Sequence, residues 1–244
     1  MIDRVHEAHK ILDTIPKAPR FTWEFKQRAF AQHIIQSNGN LDKFLEWSSS
    51  YESLHTGFTR DAKRELELIP EEMRQYGTDP SMGAPSKSPV GMSGTYIRQL
   101  FLASKIGHAN SIFEFGGGYG ALAVVLNRWY AYHPKHYVYD FPVIHMLREW
   151  YLSCQGMATV SITQPTELDV EVFVSACALD EAPLELRETI LDLVTAERYV
   201  FVFTHDFGGY DNTKFFNEWA SRREWRQRET IETGNPNQAC LILG

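Results

Sequence analysis

The stretch "SIFEFGGGYGALAVVL", Ser111 to Leu126, sets four glycines between a short apolar run and a second apolar run with helical spacing. Glycines at the end of a strand let the backbone turn sharply and approach a ligand without Cβ clashes. The helix that follows presents its unpaired N–H groups and the positive end of its dipole to the same place. Gly116, Gly118 and Ala121 fit G-x-G-x-x-G/A, a pattern that taken alone is only a weak sign of a dinucleotide-binding turn. Glu114, two residues ahead of Gly116, adds a charge to the question. A carboxylate beside a pyrophosphate is electrostatically unfavourable, whereas beside a ligand ammonium it is favourable.

Downstream, strand-like and helical runs alternate. "HYVYDF" is followed by "PVIHMLREWYLSC", then come "ATVSIT" and "VEVFVSACA", the helical "LELRETILDLV", the strand "RYVFVFTH" and the helical "NTKFFNEWASRR". Such alternation implies a parallel sheet wound on both sides. The end breaks the rhythm: "WRQRETIET" and "QACLILG" flank a "GNPN" turn and read as a hairpin, closing the sheet with an antiparallel C-terminal strand. Asp140 ends "HYVYD", within the range of about 20 residues past the glycines where an acid holds ribose hydroxyls. That acid is common to nicotinamide and S-adenosylmethionine binders, so of these two acids only Glu114 separates the two. A glycine-rich turn with an unrelated surface Asp is the plain alternative.

Upstream of Ser111 the chain reads as helices. "VHEAHKILDTI" and "TWEFKQRAFAQHIIQ" carry helical spacing, the second with Thr22 as N-cap and Gly39 just past its end. "NLDKFLEWSSSYESL" and "TRDAKRELELIPEEMRQY", interrupted at Pro70, follow, and "TYIRQLFLASKI" precedes the glycine stretch. Between them Gly77 to Gly94 is rich in Gly, Pro and Ser, a composition shared by tethers and by lids over binding sites. The resulting division is a helical cap for substrate over residues 1–92, carrying the 77–94 loop, and a cofactor-binding domain over 93–244. Trp23, Phe25, Phe30, Phe44 and Trp47 fall at helical spacing, for which packing is the default reading and an acceptor pocket the alternative.

Ser111 to Gly244 resembles the class I S-adenosylmethionine-dependent methyltransferases. The family signature acid-x-Gly-x-Gly-x-Gly is matched by Glu114, Gly116, Gly118 and Gly120. "YDFPVI" is similar to the Asp-apolar-Pro element that ends the second strand in many small-molecule O-methyltransferases. "FVSACALDEAPLELRETIL" is more loosely similar to bacterial sugar O-methyltransferases. The resemblance implies an α/β fold, a doubly wound Rossmann-like seven-stranded sheet with an antiparallel C-terminal strand, preceded by the helical region. It also implies S-adenosyl-L-methionine as cofactor. Carried over by position, Gly116, Gly118, Gly120 and the backbone around Tyr119 would line the methionine part, with Glu114 serving the ammonium directly or through water. Asp140 would hold the ribose diol, Phe141 would pack on the adenine, Gln164 would meet the adenine edge, and Cys177 and Ala178 would border the cofactor. Many family members have an acid where this chain has Gln164, and a residue such as Cys177 is more often simply small and buried.

Open α/β sheets bind ligands beyond the carboxyl ends of their strands, so residues just after the fourth and fifth strands face the transferred group. Asp180 and Glu181 follow one strand, and His205 and Asp206 the other. His205 is the expected general base, since an imidazole titrating near ~6.5 exchanges a proton readily at cell pH. Asp180 or Glu181 would orient it or hold acceptor hydroxyls, and both equally suit the N-terminal turn of the next helix. Asp180, Glu181, His205, Asp206, Asp211 and Asn212 offer hard oxygen ligands and an imidazole to a metal-dependent variant but match no metal-ligand spacing, so no metal is expected and metal dependence stays open.

Composition bounds the rest. With 244 residues, 43% hydrophobic, the chain can bury a sizeable core, and a net charge of −7 gives no electrostatic footing for nucleic acid. "MIDRVHEAHKIL" interrupts its apolar positions with charges, unlike a signal peptide, and no apolar run reaches the ~20 residues of a membrane span. Three cysteines, Cys154, Cys177 and Cys240, lack disulfide or metal spacing, so a reducing cytoplasm is the expected setting. The expected partner is a small-molecule acceptor, with no nucleic acid and no membrane; assembly into a homo-oligomer stays open. The resulting reading is an O-methyltransferase acting on a sugar-like or other hydroxylated metabolite. A non-catalytic binding protein of the same fold and a nicotinamide-dependent oxidoreductase are the alternatives, and an amine acceptor stays as open as a hydroxyl.

Overall fold

The structure, a computed structural model, describes residues 4–17, 23–40, 43, 62–74, 94–131 and 133–244. Of the expected helix over 40–54 the described residues are Asn40 and Lys43, and the N-cap Thr22 and the 77–94 loop up to its last residue fall outside them. Gly94 itself opens a helix.

Seven strands form one sheet: β1 (Ser111–Phe115), β2 (Lys135–Tyr139), β3 (Val160–Ile162), β4 (Leu168–Ala176), β5 (Val194–Thr204), β8 (Arg228–Glu232) and β9 (Gln238–Leu243). Their spatial order is β3-β2-β1-β4-β5-β9-β8. From β3 to β5 all pairings are parallel; β9 runs antiparallel to β5 and to β8. This is the doubly wound, Rossmann-like sheet with a reversed C-terminal strand that the sequence implies. The strand order turns back between β1 and β4, and the crevice at such a point is where these sheets receive ligands. Two further short strands, β6 (Asp206–Phe207) and β7 (Tyr210–Asp211), make a small hairpin past β5 that the sequence reading did not anticipate. Gly208 and Gly209 supply the positive φ its turn requires.

The central strands are continuous apolar runs because helices cover both faces. One face packs Ile112, Val172, Val174, Val200 and Val202 beneath α5 (Gly94–Ile106), α6 (Ala121–Tyr130) and α7 (Pro142–Cys154). The other packs Phe113, Phe173, Tyr199 and Phe201 beneath α8 (Leu184–Leu193) and α9 (Asn212–Ala220). Residues 163–167 carry the chain from β3 to β4 without a helix.

The front helices join the first of these cores. α1 (Arg4–Thr14) and α2 (Trp23–Gln36) pack on each other and on α7, and Ala8, Phe30, Ala31 and Ile34 lie in the same apolar cluster as the sheet. α2 ends at Asn38 and Gly39, both with positive φ, and Gly39 N–H donates to the Ile34 carbonyl at 3.3 Å. Past α2 come α3 (Ala62–Glu67) and α4 (Glu71–Arg74), split at Pro70 as its sequence requires. Glu65 of α3 and Arg98 of α5, both fully buried, are ion-paired, and Arg98 Nη2 also donates to Gln238 Oε1 at 3.1 Å. Gly234 N–H donates to Glu65 Oε2 at 3.1 Å, so one buried charge cluster ties the front helices to the C-terminal hairpin.

Candidate functional site

The glycine turn leaves β1 at its carboxyl end, where the neighbouring strands β2 and β4 also end. Gly116 N–H donates to the Tyr139 carbonyl at 2.9 Å, extending the β1–β2 pairing by one residue. Gly116, Gly118 and Gly120 have φ of 79°, 54° and 93°, values that side chains other than glycine's rarely tolerate. At Gly116 close approach matters as well, because a Cβ there would sit 2.1 Å from Cβ of Ala178. A Cβ at Gly118 would meet nothing within 4 Å, so the backbone there faces open space. Gly120 N–H closes the turn on the Gly117 carbonyl at 3.0 Å, and α6 begins at the next residue.

A cavity of about 290 Å³ opens at this point. Gly116, Gly118, Asp140, Phe141 and Ala178 line it, together with Phe115 and Tyr139, whose rings stack at 5.1 Å. Ala182, Pro183 and Leu186 bring in the start of α8; Glu24 and Phe30 bring in the front helix α2. Phe30 is both buried in the core and part of the cavity wall. Among the described lining residues the charged side chains are Asp140 and Glu24, and none is basic.

Asp140 is held by backbone on both sides: Gly118 N–H donates to Oδ2 at 3.0 Å and Phe141 N–H to Oδ1 at 2.8 Å. Burial pushes its carboxyl up to about 6, opposed by the positive charge of Arg148 and by these two N–H groups. Arg148, on α7, is fully buried and donates to Thr159 Oγ1 at 3.0 Å, Ser161 Oγ at 2.9 Å and His145 Nδ1. With Nδ1 accepting, His145 carries its proton on Nε2 and donates to the Ile162 carbonyl at 3.1 Å. Burial, then the neighbouring guanidinium, lowers His145 to about 4. Arg148 is the functional neighbour that sequence reasoning missed; an arginine on the apolar face of "PVIHMLREWYLSC" was the available signal.

Glu114 is placed differently from its neighbours in the motif. Strand alternation turns Phe115 into the cavity and Glu114 to the opposite face of the sheet. There Glu114 Oε2 lies 3.0 Å from His136 Nε2 of β2, with 6% and 2% of the two side chains exposed. A Cβ on Gly117 would come within 2.8 Å of the same oxygen, so the glycine turn lies directly over the carboxylate. Glu114 therefore supports the turn from beneath and does not line the cavity. Tyr119 is buried with its ring edge-on to Tyr151 at 5.0 Å. Cys177 is 1% exposed with φ of 54°, and burial raises its thiol; Ala178 after it faces the cavity. Gln164 is exposed and outside the lining, its carbonyl accepting from Thr166 Oγ1 at 2.9 Å.

The candidate catalytic residues gather at the ends of β4 and β5. Asp180 is 1% exposed; its Oδ2 accepts from Thr204 N–H at 2.8 Å, and burial pushes its carboxyl up to about 6. Arg187 of α8 donates to the Asp180 carbonyl and to Asn212 Oδ1, locking the two strand ends together. Glu181 is half-buried, and Thr204 leads directly into His205. His205 Nδ1 lies 2.9 Å from Thr213 Oγ1. Asp180 and His205 thus flank Thr204 but make no bond to each other, and neither lines the cavity described above. Among the described residues no group of three or more His, Cys, Asp or Glu is placed to hold a metal ion.

No family model and no curated protein matches the chain. Solved structures similar to it include human N-acetylserotonin methyltransferase in complex with SAM, at 14% identity and a TM-score of 0.45, covering 98% of this chain and 65% of the human one. An O-methyltransferase family 2 protein from Planctomyces limnophilus in complex with apigenin is 9% identical, with a TM-score of 0.47 over 92% of this chain and 69% of its own. A SAM-dependent methyltransferase from Aquifex aeolicus is 14% identical, with a TM-score of 0.45 over 75% of this chain and 97% of its own.

Proposed function

We propose that the chain binds S-adenosylmethionine and transfers its methyl group to a hydroxyl of a small sugar-like or otherwise hydroxylated metabolite. The observation that carries this reading is the charge of the cavity at the sheet's switch point. Its described wall offers bare glycine backbone, aromatic and aliphatic surface, two carboxylates and no basic side chain. A dinucleotide would bring a pyrophosphate into that field, whereas a sulfonium nucleoside brings positive charge.

The residues present fit that cofactor. Gly118 leaves open space over the turn, Asp140 offers oxygens whose remaining lone pairs suit a ribose diol, and Phe141 and Ile144 offer apolar surface to a base. When bound, the cofactor supplies an activated methyl group, which accounts for most of the driving force. The chain's own task is to align the acceptor and take its proton. His205 stands at the end of β5, and in the tautomer whose Nδ1–H donates to Thr213 Oγ1, its Nε2 is the nitrogen left to accept that proton. Asp180 and Glu181, at the end of β4, would hold acceptor hydroxyls. Residues 1–92 act as the cap on the acceptor side, which Glu24 and Phe30 support by reaching the cavity wall.

Thermal unfolding with S-adenosylhomocysteine and with NAD tests this. A ligand at 100 times its dissociation constant stabilises by ~2.7 kcal/mol, so the nucleoside should raise the midpoint and NAD should not. The reverse result would make the chain an oxidoreductase. Binding without turnover on any hydroxylated or amine acceptor would make it a binding protein.

A further inference from the structure

With Glu114 turned away beneath Gly117, the glycine motif contributes no carboxylate to the cavity. The lining charges left are Asp140 and Glu24. Asp140 is already bonded to two backbone N–H groups and belongs to the turn. Glu24 differs in every respect. It stands in the first turn of α2, outside the cofactor motif altogether, is exposed, and makes no hydrogen bond or ion pair among the described residues. A solvated carboxylate on a wall that is apolar apart from Asp140 and the glycine backbone is an unused countercharge, and a cationic ligand entering there would desolvate and engage it.

We infer that Glu24 is the residue that reads the cationic amino-acid end of the nucleoside, so that the front helix completes the cofactor pocket. This rests on the function proposed above. The α-ammonium is the cofactor's strongest hydrogen-bond donor, and a carboxylate is its natural acceptor. Because α2 packs through Phe30 and Ile34 into the core shared with α7, the carboxylate is carried on a rigid element. The front helices then bind cofactor as well as capping the acceptor side.

The test uses Glu24→Gln, an isosteric change at an exposed position, with isothermal titration of three compounds. S-adenosylmethionine and S-adenosylhomocysteine carry the ammonium; 5′-methylthioadenosine lacks the whole amino-acid tail. The inference expects the variant to bind the first two about tenfold more weakly and the third unchanged, as loss of one charge-assisted hydrogen bond implies. Equal weakening for all three would place Glu24 at the nucleoside end or in a structural role and overturn it. Unchanged binding of all three would reduce Glu24 to a favourable charge at a helix N-terminus and overturn it equally. If none of the compounds binds the unaltered protein, the proposed function fails first, and the two failures stay distinct.

Discussion

Asp180→Asn should stabilise the protein at neutral pH and not in acid. Asp180 is 1% exposed, and burial pushes its carboxyl from 3.8 to about 6, against the opposing Thr204 N–H and Arg187 charge. The folded-state value lies above the unfolded one, so the folded protein binds more protons between about pH 4 and pH 6, and stability falls as pH rises through that window. A displacement of about two pH units corresponds to ~3 kcal/mol of destabilisation once the group is ionised. Asn keeps an oxygen for Thr204 N–H and removes the charge, while an incompletely matched amide donor gives back ~1–3 kcal/mol. The net gain at pH 7.5 is therefore about 1 kcal/mol, or ~2–4 °C in a chain of this size.

Urea unfolding of both proteins at pH 7.5 and pH 4 provides the measurement. The quantity that matters is the change in the variant's offset between the two pH values, about 3 kcal/mol in favour of the variant at pH 7.5. Asp140, the other carboxyl displaced to about 6, is present in both proteins and cancels in that difference. An offset identical at both pH values would refute the reasoning, because the buried carboxylate would then carry no ionisation cost.

Three residues of the site give further outcomes. Asp140→Ala should weaken S-adenosylhomocysteine binding ~10–100-fold by titration calorimetry, the worth of a charge-assisted contact. In the unaltered protein the same affinity should fall about tenfold from pH 7.5 to pH 5 as a carboxyl titrating at about 6 protonates, and that dependence should vanish in the variant. Gly116→Ala would force a Cβ to 2.1 Å from Ala178 at a φ of 79°, so it should lose ligand binding and ~2–4 kcal/mol of stability. Adding Ala178→Gly should recover the part due to the clash and leave the part due to φ. His205→Ala should depress turnover ~100-fold or more while leaving nucleoside affinity intact, and full activity would remove the imidazole from the chemistry.

The sheet was legible because its signals are local and redundant. Strands β1, β4 and β5 are apolar runs of the length a doubly covered sheet demands, Pro70 divides its helix in place, and "GNPN" marks the turn that reverses β9. Each depends on backbone geometry and burial period, which a single segment reveals. The hairpin at Asp206–Asp211 was missed because its strands are two residues long and show no alternation to detect. At the site, the glycines and Asp140 were legible because turn geometry and strand-end position follow from adjacent residues. The contacts that set their charge were not: Arg148 reaches Thr159 and Ser161 across a crossover, and the Glu114–His136 contact joins two strands.

Glu114 and Glu24 show where such reading reaches its limit. Both are single glutamates beside apolar residues, and the motif context of Glu114 makes it the stronger candidate for a ligand charge. Yet the motif specifies a spacing along the chain, while the pleat gives successive residues to opposite faces, and the neighbour each then meets is set by another strand. Phe115 packs on the α8–α9 side of the sheet, so Glu114 takes the other side, where His136 at the second position of β2 lies against it. A sequence in which the second residue of β2 were apolar would leave Glu114 buried without a partner, at a cost the fold could relieve only by turning the carboxylate elsewhere. His136→Leu is the corresponding experiment: it should destabilise the protein by several kcal/mol in urea unfolding, and Glu114→Gln in that background should restore much of the loss. If the double variant were no more stable than His136→Leu alone, Glu114 would be satisfied without His136, and the pair would not be what holds the buried carboxylate in place.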